Sequence, residues 1–308
     1  MRDPADLYEL RPGIDVTARV MLVVLDGFVD AGSVGSQTAD ALFAEFTAEE
    51  VAAFDIDRLL DYRSRRPVMT FVENTYTDYE PPKLGLYQMR DAEDTPFLLL
   101  YGLEPDHEWE GFAEAVRELV ERFSVSLTIG VHGIPMAVPH TRPATVTAHG
   151  TRPELVAGHT AWIGRVNVPA SAASLLEFRL GQAGHDVVGY AVHVPSYLSQ
   201  SEYPRAAIAA IDHLGGVSGL ALPAEALHAS AQETDTEIEQ QVAASEEVQR
   251  VVGNLERQYD DYMSAHADSR DDADGSLFTG DETALPTAEE LGAELERYLA
   301  DRERGAEG

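Results

Sequence analysis

Short apolar runs alternate with amphipathic segments along the first two thirds of the chain. Residues 19–25 (RVMLVVL) are apolar and rich in β-branched side chains, which predicts a buried strand. After a glycine-bearing loop, residues 34–47 place Val34, Thr38, Leu42 and Phe46 at helical spacing. The chain therefore opens as a strand, a loop and a helix, which is typical of an α/β fold.

The same alternation continues as far as residue 222. Further strands are predicted at 50–55, 67–72, 83–89, 96–101, 126–131, 145–148 and 187–194. Further helices are predicted at 109–123, 170–180 and 203–214, and the pair Gly215-Gly216 is expected to end the last of them. The stretch TYTDYEPP is expected to be a turn. Alternating strands and helices favour a sheet that is covered by helices on both faces.

The last third of the chain has a different pattern and divides into three segments. Residues 223–265 predict one long helix or two stacked ones, and 266–286 predict an acidic flexible linker. Residues 287–308 predict a short amphipathic helix that begins with a capping box at Thr287. Its apolar stripe is Leu291, Leu295, Tyr298 and Leu299. Such a short helix is not stable alone in water, so we expect it to dock, with the 1–222 core as one of several surfaces available to it.

Composition and charge narrow the classes of partner. The 308 residues include no cysteine, which excludes disulfides, thiolate metal sites and cysteine nucleophiles. The net charge of −32, from 54 acidic and 22 basic residues, would repel nucleic acid and anionic lipid, so neither is predicted as a partner. The N-terminus is charged and no apolar run approaches the ~20 residues of a membrane span. A cytoplasmic protein is expected.

The loop after the first strand is the first candidate site. It contains Gly27, Asp30, Gly32 and Ser33 and lies where open α/β sheets bind their ligands. Gly32 would allow close backbone approach, and Ser33 could cap the following helix. One interpretation is a ligand or partner site, and the other is a capped helix start. Ser33 also falls near a G-x-S-x-G pattern, but it comes too long after the strand for a nucleophile elbow.

Two further loops carry the remaining candidate residues. Asp61, Arg63 and Arg66 lie in the DYRSRRP segment, where arginines could bind a carboxylate or phosphate, or pair internally with aspartates. His140 and Arg142 lie in a proline-stiffened loop that could titrate and bind an anion, or be a rigid loop without chemistry. The other histidines are scattered without the spacing of a zinc site, so no metal, cofactor or catalytic residue is assigned.

Several of these segments together resemble the proteasome assembly chaperone 2 family, in its longer actinobacterial form. The matching segments are GFVDAGSVG, DIDRLLDYRSRRP, YGLEPDHEW, GIPMAVPHTRPATVTAHGT, PASAASLLEFRLGQAGHDVVGYAVHVPSYLSQSEYP and ALPTAEELGAELERYLADRE. The resemblance implies a three-layer α/β/α sandwich with a mixed sheet, similar to nucleoside-phosphorylase-like folds, followed by a C-terminal helical extension.

The resemblance implies less about activity than about fold, because phosphorylase-like folds also host enzymes. Our first hypothesis is a non-enzymatic, assembly-chaperone-like or scaffold protein with protein partners. The alternative is a small-molecule-binding protein or an enzyme of the nucleoside phosphorylase/hydrolase type that uses the three loops as one site. A homo-oligomer is expected, and a trimer is the expected form.

Overall fold

The computed structural model describes residues 3–13, 16–159 and 165–268. The strands are β1 Tyr8–Leu10, β2 Val20–Asp26, β3 Glu49–Phe54, β4 Met69–Val72, β5 Thr75–Tyr79, β6 Leu84–Arg90, β7 Pro96–Leu103, β8 Leu127–Met136, β9 Val146–Gly150 and β10 Val187–Pro195. The helices are α1 Val34–Glu45, α2 Ile56–Leu59, α3 Trp109–Arg122, α4 Ala172–Gln182, α5 Pro204–Ser218, α6 Glu225–Ala243 and α7 Glu246–Asp268.

Eight strands form one mixed sheet in the order β1-β3-β6-β7-β2-β8-β10-β9. β7, β2, β8 and β10 are parallel neighbours. β6 is antiparallel to both β3 and β7, so β3 runs in the same direction as the parallel set. Five strands therefore end at one edge of the sheet, and the loops that follow them lie side by side.

Helices cover both faces of this sheet. On one face, α3 and α4 bury residues such as Phe112, Leu119 and Leu180 against β2 and β7. On the other face, α1 and α5 bury Leu42 and Leu214 against the opposite side chains of the same strands. The predicted three-layer α/β/α sandwich is confirmed, because each central strand is apolar on both sides and needs cover on both.

Two predicted features differ from the structure. Gly215 and Gly216 do not end α5, which continues to Ser218 and is terminated by Gly219 in a left-handed conformation (φ 72°). Packing of Leu214 and its neighbours against the sheet outweighs the low helix propensity of glycine. The expected TYTDYEPP turn was also wrong. Its first five residues form β5, which pairs with β4, and the reversal occurs at Glu73 (φ 54°).

The C-terminal extension consists of two helices, α6 and α7, which are separated at Ala244 and Ser245. α6 packs against α5 through Leu227, and Ile238 reaches the core beneath it. Within the described chain no helix combines the length and apolarity that crossing a bilayer requires. The predicted closing helix, with Leu291, Leu295, Tyr298 and Leu299, lies outside the described residues, as does the predicted linker beyond residue 268.

Candidate functional site

The loops that follow β2, β3, β7, β8 and β10 meet at the carboxyl edge of the sheet. All nine candidate residues lie on the loops after β2, β3 and β8. The structure thus brings the three predicted loops to one edge, in the place where α/β sheets bind ligands. The hydrogen bonds and ion pairs that the side chains form there differ from loop to loop.

Gly27, at the start of the first loop, is in close contact with the loop after β7. A Cβ on Gly27 would lie 2.0 Å from Oε2 of Glu104, a carboxylate that is almost fully buried. The other oxygen of Glu104 accepts a hydrogen bond from the backbone N–H of Ala172, in the first turn of α4. Glu104 therefore ties the loops after β2 and β7 to a helix start, and glycine at position 27 leaves room for it.

Asp30 is fully engaged by backbone donors. Its Oδ1 accepts from the N–H groups of Gly35 (2.8 Å) and Gly133 (3.0 Å), and its Oδ2 accepts from Ser36 (3.2 Å). Asp30 thus caps the N-terminus of α1 and joins it to β8. The expected cap at Ser33 is wrong, because Ser33 has a left-handed backbone (φ 51°) and its side chain makes no capping bond.

Gly32 connects the same loop to the segment after β10. Its N–H donates to the carbonyl of Ser199 (3.0 Å), and its carbonyl accepts from the N–H of Tyr203 (2.9 Å). The backbone of Gly32 is left-handed (φ 67°), and a Cβ there would lie 3.0 Å from the Cβ of Tyr203. Gly32 therefore allows a close backbone approach, and the neighbour it approaches is the chain itself.

The segment after β3 divides its arginines between two roles. Arg65, which was not among the candidates, donates to the carbonyl of Asp26 (3.0 Å) and to Oδ1 of Asp106 (2.9 Å). Asp61 donates its N–H to Oδ2 of the same Asp106 (2.8 Å). Arg63 and Arg66 are exposed, and neither forms an ion pair with any residue that the structure describes. Internal pairing therefore applies to Arg65 and leaves the two candidates at the surface.

His140 is buried in the loop after β8. Its backbone N–H donates to the hydroxyl of Tyr197 (2.9 Å), and its Nδ1 lies 2.7 Å from the same oxygen. Burial, with a smaller contribution from Arg205, lowers the pKa of His140 below its ordinary value. Burial also raises the pKa of Tyr197 to about 12. At neutral pH the pair is an uncharged hydrogen-bonded unit that joins the loops after β8 and β10.

Arg142 connects the same loop to α7. Its Nε lies 2.8 Å from Oδ1 of Asp260 and its Nη2 lies 2.6 Å from Oδ2, a bidentate arrangement. Glu256 Oε1 lies 3.4 Å from Nη1 of the same arginine. The hydrogen bond from Arg142, together with its positive charge, holds the pKa of Asp260 below its ordinary value. The anion that Arg142 binds here is therefore supplied by the chain's own helix.

Comparison with known proteins establishes the relationship. The model of the PAC2 family matches residues 24–242, which is most of the chain. The chain belongs to the PAC2 family. A Mycobacterium tuberculosis protein of unknown function is 47% identical, with a TM-score of 0.81 over 85% of this chain and 91% of that one. A Corynebacterium glutamicum protein of unknown function is 39% identical, with a TM-score of 0.81 over 84% and 99%.

More distant structures share the PAC2 fold. A Mycobacterium tuberculosis proteasome-assembly chaperone homologue is 24% identical, with a TM-score of 0.70 over 76% of this chain and 99% of that one. No functionally curated protein matches the chain. The family match confirms the resemblance to the proteasome assembly chaperone 2 family. The similar structures include proteins of unknown function and a proteasome-assembly chaperone homologue.

One polar group of this PAC2 chain escaped the sequence analysis. His193 on β10 is fully buried, with its Nδ1 2.9 Å from Thr145 Oγ1 and its Nε2 2.8 Å from Thr147 Oγ1. Burial lowers the pKa of His193 to about 4. The available signal was the alternation of Thr145 and Thr147 with apolar residues in the neighbouring strand.

No cluster of three metal-binding side chains occurs among the described residues.

Among the described residues, exposed apolar side chains are concentrated on the β4–β5 hairpin, which forms a two-stranded sheet of its own. The rings of Phe71 and Tyr76 contact each other in a tilted arrangement, with 4.9 Å between their centroids, and are 56% and 66% exposed. Of thirteen exposed large hydrophobic side chains in the described residues, six lie between positions 68 and 79. The strand predicted at 67–72 contains β4, whereas β5 was missed, although the β-branched and aromatic residues of TYTDY favour a strand.

A cavity of about 300 Å³ lies beside the start of α3, away from the nine candidate residues. It is lined by Leu7, Trp109 and the ion pair between Arg58 and Glu108, whose atoms approach to 2.7 Å. That arginine is already neutralised, so the cavity offers no free cation for an anionic ligand.

The proposed grouping of the three edge loops into one binding site stays a prediction.

Proposed function

We propose that this PAC2 protein is a non-enzymatic, assembly-chaperone-like or scaffold protein that works through protein–protein contacts and associates with itself through the β4–β5 hairpin. A trimer is the expected form. The observation that carries the proposal is the concentration of exposed apolar side chains on the hairpin, in a chain whose net charge is −32. Large contiguous apolar patches on folded proteins mark interaction sites.

The size of the hairpin suits an interface. Its large side chains are about half exposed, which corresponds to on the order of 500 Å² of apolar surface if an aromatic side chain covers 150–250 Å². A stable interface buries about 800 Å² on each partner. The exposed apolar surface of the hairpin amounts to more than half of that area, and the remainder would come from polar atoms and flanking residues.

Family membership supports the chaperone-like part of the proposal. One related structure is that of a proteasome-assembly chaperone homologue, and a Pyrococcus furiosus relative, 19% identical, is described as an archaeal proteasome activator. Both descriptions concern proteins that act with other proteins. The polar groups Asp30, His140 and Arg142 are also bound by the chain's own atoms, which favours contacts between surfaces over chemistry at the edge loops.

The alternative function is small-molecule binding, or catalysis of the nucleoside phosphorylase/hydrolase type, at the carboxyl edge of the sheet. The observation that favours it is the meeting of the three candidate loops at that edge. A ligand there would have to replace the Arg142–Asp260 pair or use the exposed Arg63 and Arg66. A thermal-shift screen of nucleosides, phosphates and carboxylates would support it through a stabilisation that Arg142→Ala abolishes.

The proposed function is tested by measuring molar mass and bound partners for three forms of the full chain. We expect the wild-type protein to be an oligomer by light scattering and to recover stoichiometric protein partners from its native lysate. Phe71→Ser with Tyr76→Ser should give a monomer. The control is Phe178→Ser, since Phe178 is 57% exposed but lies on α4. A monomeric wild-type protein that is repeatedly recovered alone would contradict the proposal.

A further inference from the structure

Three exposed side chains, one aromatic and two cationic, lie on two segments that Arg65 joins at the carboxyl edge of the sheet. Phe28, in the loop after β2, is 58% exposed. Arg63 and Arg66, in the segment after β3, are exposed and form no ion pair with a described residue. Arg65 binds the carbonyl of Asp26, which brings the two segments together. We call Phe28, Arg63 and Arg66 the arginine–phenylalanine surface.

The backbone beneath this surface is held firmly. Gly27 is packed against Glu104, and Asp30 accepts three backbone hydrogen bonds, so Phe28 lies between two fixed points. Asp61 and Arg65 both bind Asp106, which fixes the segment that carries the two arginines. Phenylalanine and arginine are both enriched in protein interfaces, and arginine is among the residues that most often dominate the binding energy.

Most of the other described arginines are already neutralised. Ion pairs engage Arg11, Arg58, Arg65, Arg90, Arg117, Arg142, Arg152, Arg179 and Arg205. Because the whole chain carries −32 charges, an acidic segment is repelled by most of its surface. An acidic segment that also carries apolar side chains would be attracted where exposed arginines without a described ion pair and an exposed aromatic ring lie on contacting segments.

We propose that residues 281–302 of this same chain bind the arginine–phenylalanine surface. That segment has seven acidic and two basic residues, and its predicted helix has the apolar stripe Leu291, Leu295, Tyr298 and Leu299. Its carboxylates match Arg63 and Arg66, and its apolar side chains match Phe28. The segment belongs to the chain, so its effective concentration at the surface is high.

The chain between α7 and residue 281 is long enough for residues 281–302 to reach the arginine–phenylalanine surface. Arg142, after β8, anchors α7 through Asp260, and the strand order places β3 four positions away from β8. Four strand spacings amount to about 19 Å, at roughly 4.8 Å each. The eight residues from Asp260 to Asp268 add about 12 Å as a helix. Residues 269–280 can span about 40 Å when extended, which exceeds the sum.

The test is site-specific photo-crosslinking in the full chain. Phe28 is replaced by p-benzoylphenylalanine, the protein is irradiated, and crosslinked peptides are identified by mass spectrometry. We expect residues 281–302 to be the principal target, in product of single-chain mass. The matched control places the same photo-reactive residue at Phe178, which is equally exposed, at 57%. That position should give little crosslinking to residues 281–302.

Charge reversal then tests the chemistry of the contact. Arg63→Glu with Arg66→Glu should lower the crosslinking yield at position 28 roughly tenfold, because modest surface ion pairs are replaced by repulsion. Arg250→Glu with Arg257→Glu changes two exposed arginines on α7 by the same charge and should leave the yield unchanged.

Three results would overturn the proposal: crosslinks from position 28 that map elsewhere, crosslinks between two copies, or a yield that Arg63→Glu with Arg66→Glu does not change. The molar mass of the same samples reports hairpin assembly separately, so failure of this contact is distinguishable from failure of the proposed function.

Discussion

The carboxyl-edge loops and the β4–β5 hairpin differ in whether their side chains are bound by the chain itself or exposed to solvent. At the edge, buried or partly buried polar groups such as Asp30, Glu104 and Arg142 are bound by the chain's own atoms. On the hairpin, apolar side chains such as Phe71 and Tyr76 contact each other but are more than half exposed among the described residues. The edge loops hold the protomer together, and the hairpin leaves a surface that another protein can cover.

Among the substitutions considered at the carboxyl edge, one at Gly133 should reduce the stability of the protein most. A Cβ there would lie 2.0 Å from the carbonyl oxygen of Ala31, a backbone atom that cannot move aside as a side chain would. We expect Gly133→Ala to lower the free energy of unfolding by about 3 kcal/mol or more, as measured by urea denaturation. Gly130→Ala on the same strand is the control, because its Cβ would meet nothing within 4 Å, and a large loss there would contradict this explanation.

Acidification should distinguish the interior from the hairpin. Burial lowers the pKa of His193 to about 4, and that of an unfolded histidine is about 6.5. As the pH falls, the unfolded chain therefore binds this proton before the folded chain does. The contribution of neutral His193 to the free energy of unfolding is fully present above pH 6.5, and on the order of 3 kcal/mol is lost as the pH drops toward 4.

His193→Gln should flatten this part of the stability profile in denaturation measured between pH 7 and 4.5. His228→Gln, at an exposed position on α6, is the matched replacement. An unchanged profile in His193→Gln would show that other groups cause the acid sensitivity. The hairpin contains no histidine, so we expect self-association to persist across the same pH range for as long as the protomer stays folded.

The cap at the edge should have a smaller effect. Asp30→Ala leaves three backbone N–H groups without their acceptor, and we expect a loss of about 2 kcal/mol in the free energy of unfolding. Ser33→Ala should change little, because the Ser33 side chain makes no capping bond. Equal losses in the two variants would contradict the assignment of the cap to Asp30.

The hairpin should be the most tolerant region of the protomer. Phe71→Ser with Tyr76→Ser removes side chains that are already more than half exposed. We expect the free energy of unfolding of the monomeric protomer to change by only about 0.5 kcal/mol. A loss of several kcal/mol, measured at a concentration where both forms are monomeric, would show that the hairpin packs within its own protomer.

The periodicity of the sequence predicted much of the fold because local patterns determine which face of each element is buried. The apolar run at 19–25 became β2, and the helical spacing of Val34, Thr38 and Leu42 became α1, which ends just before Phe46. The turn assigned to TYTDYEPP failed because β5 exists through its pairing with β4, and pairing has no local periodicity to reveal it.

The connections of the candidate site could not be predicted in the same way. Asp30 binds Gly133, more than a hundred residues away, and Arg142 binds Asp260 on a distant helix. Internal pairing of the DYRSRRP arginines was one of two interpretations of the sequence, and only the folded position of Asp106 selects Arg65 over its neighbours. Residue types indicated which groups could form bonds, and the topology of the sheet decided their partners.

Hydrogen exchange as a function of protein concentration tests the contrast between the two regions most directly. The amides of Gly35 and Gly133 donate to Asp30 within one protomer, so their protection should not depend on concentration. The amides of β4 and β5 should be strongly protected at high concentration and lose that protection on dilution, as the assembled copies separate. Rapid exchange of the hairpin amides at every concentration would contradict the account.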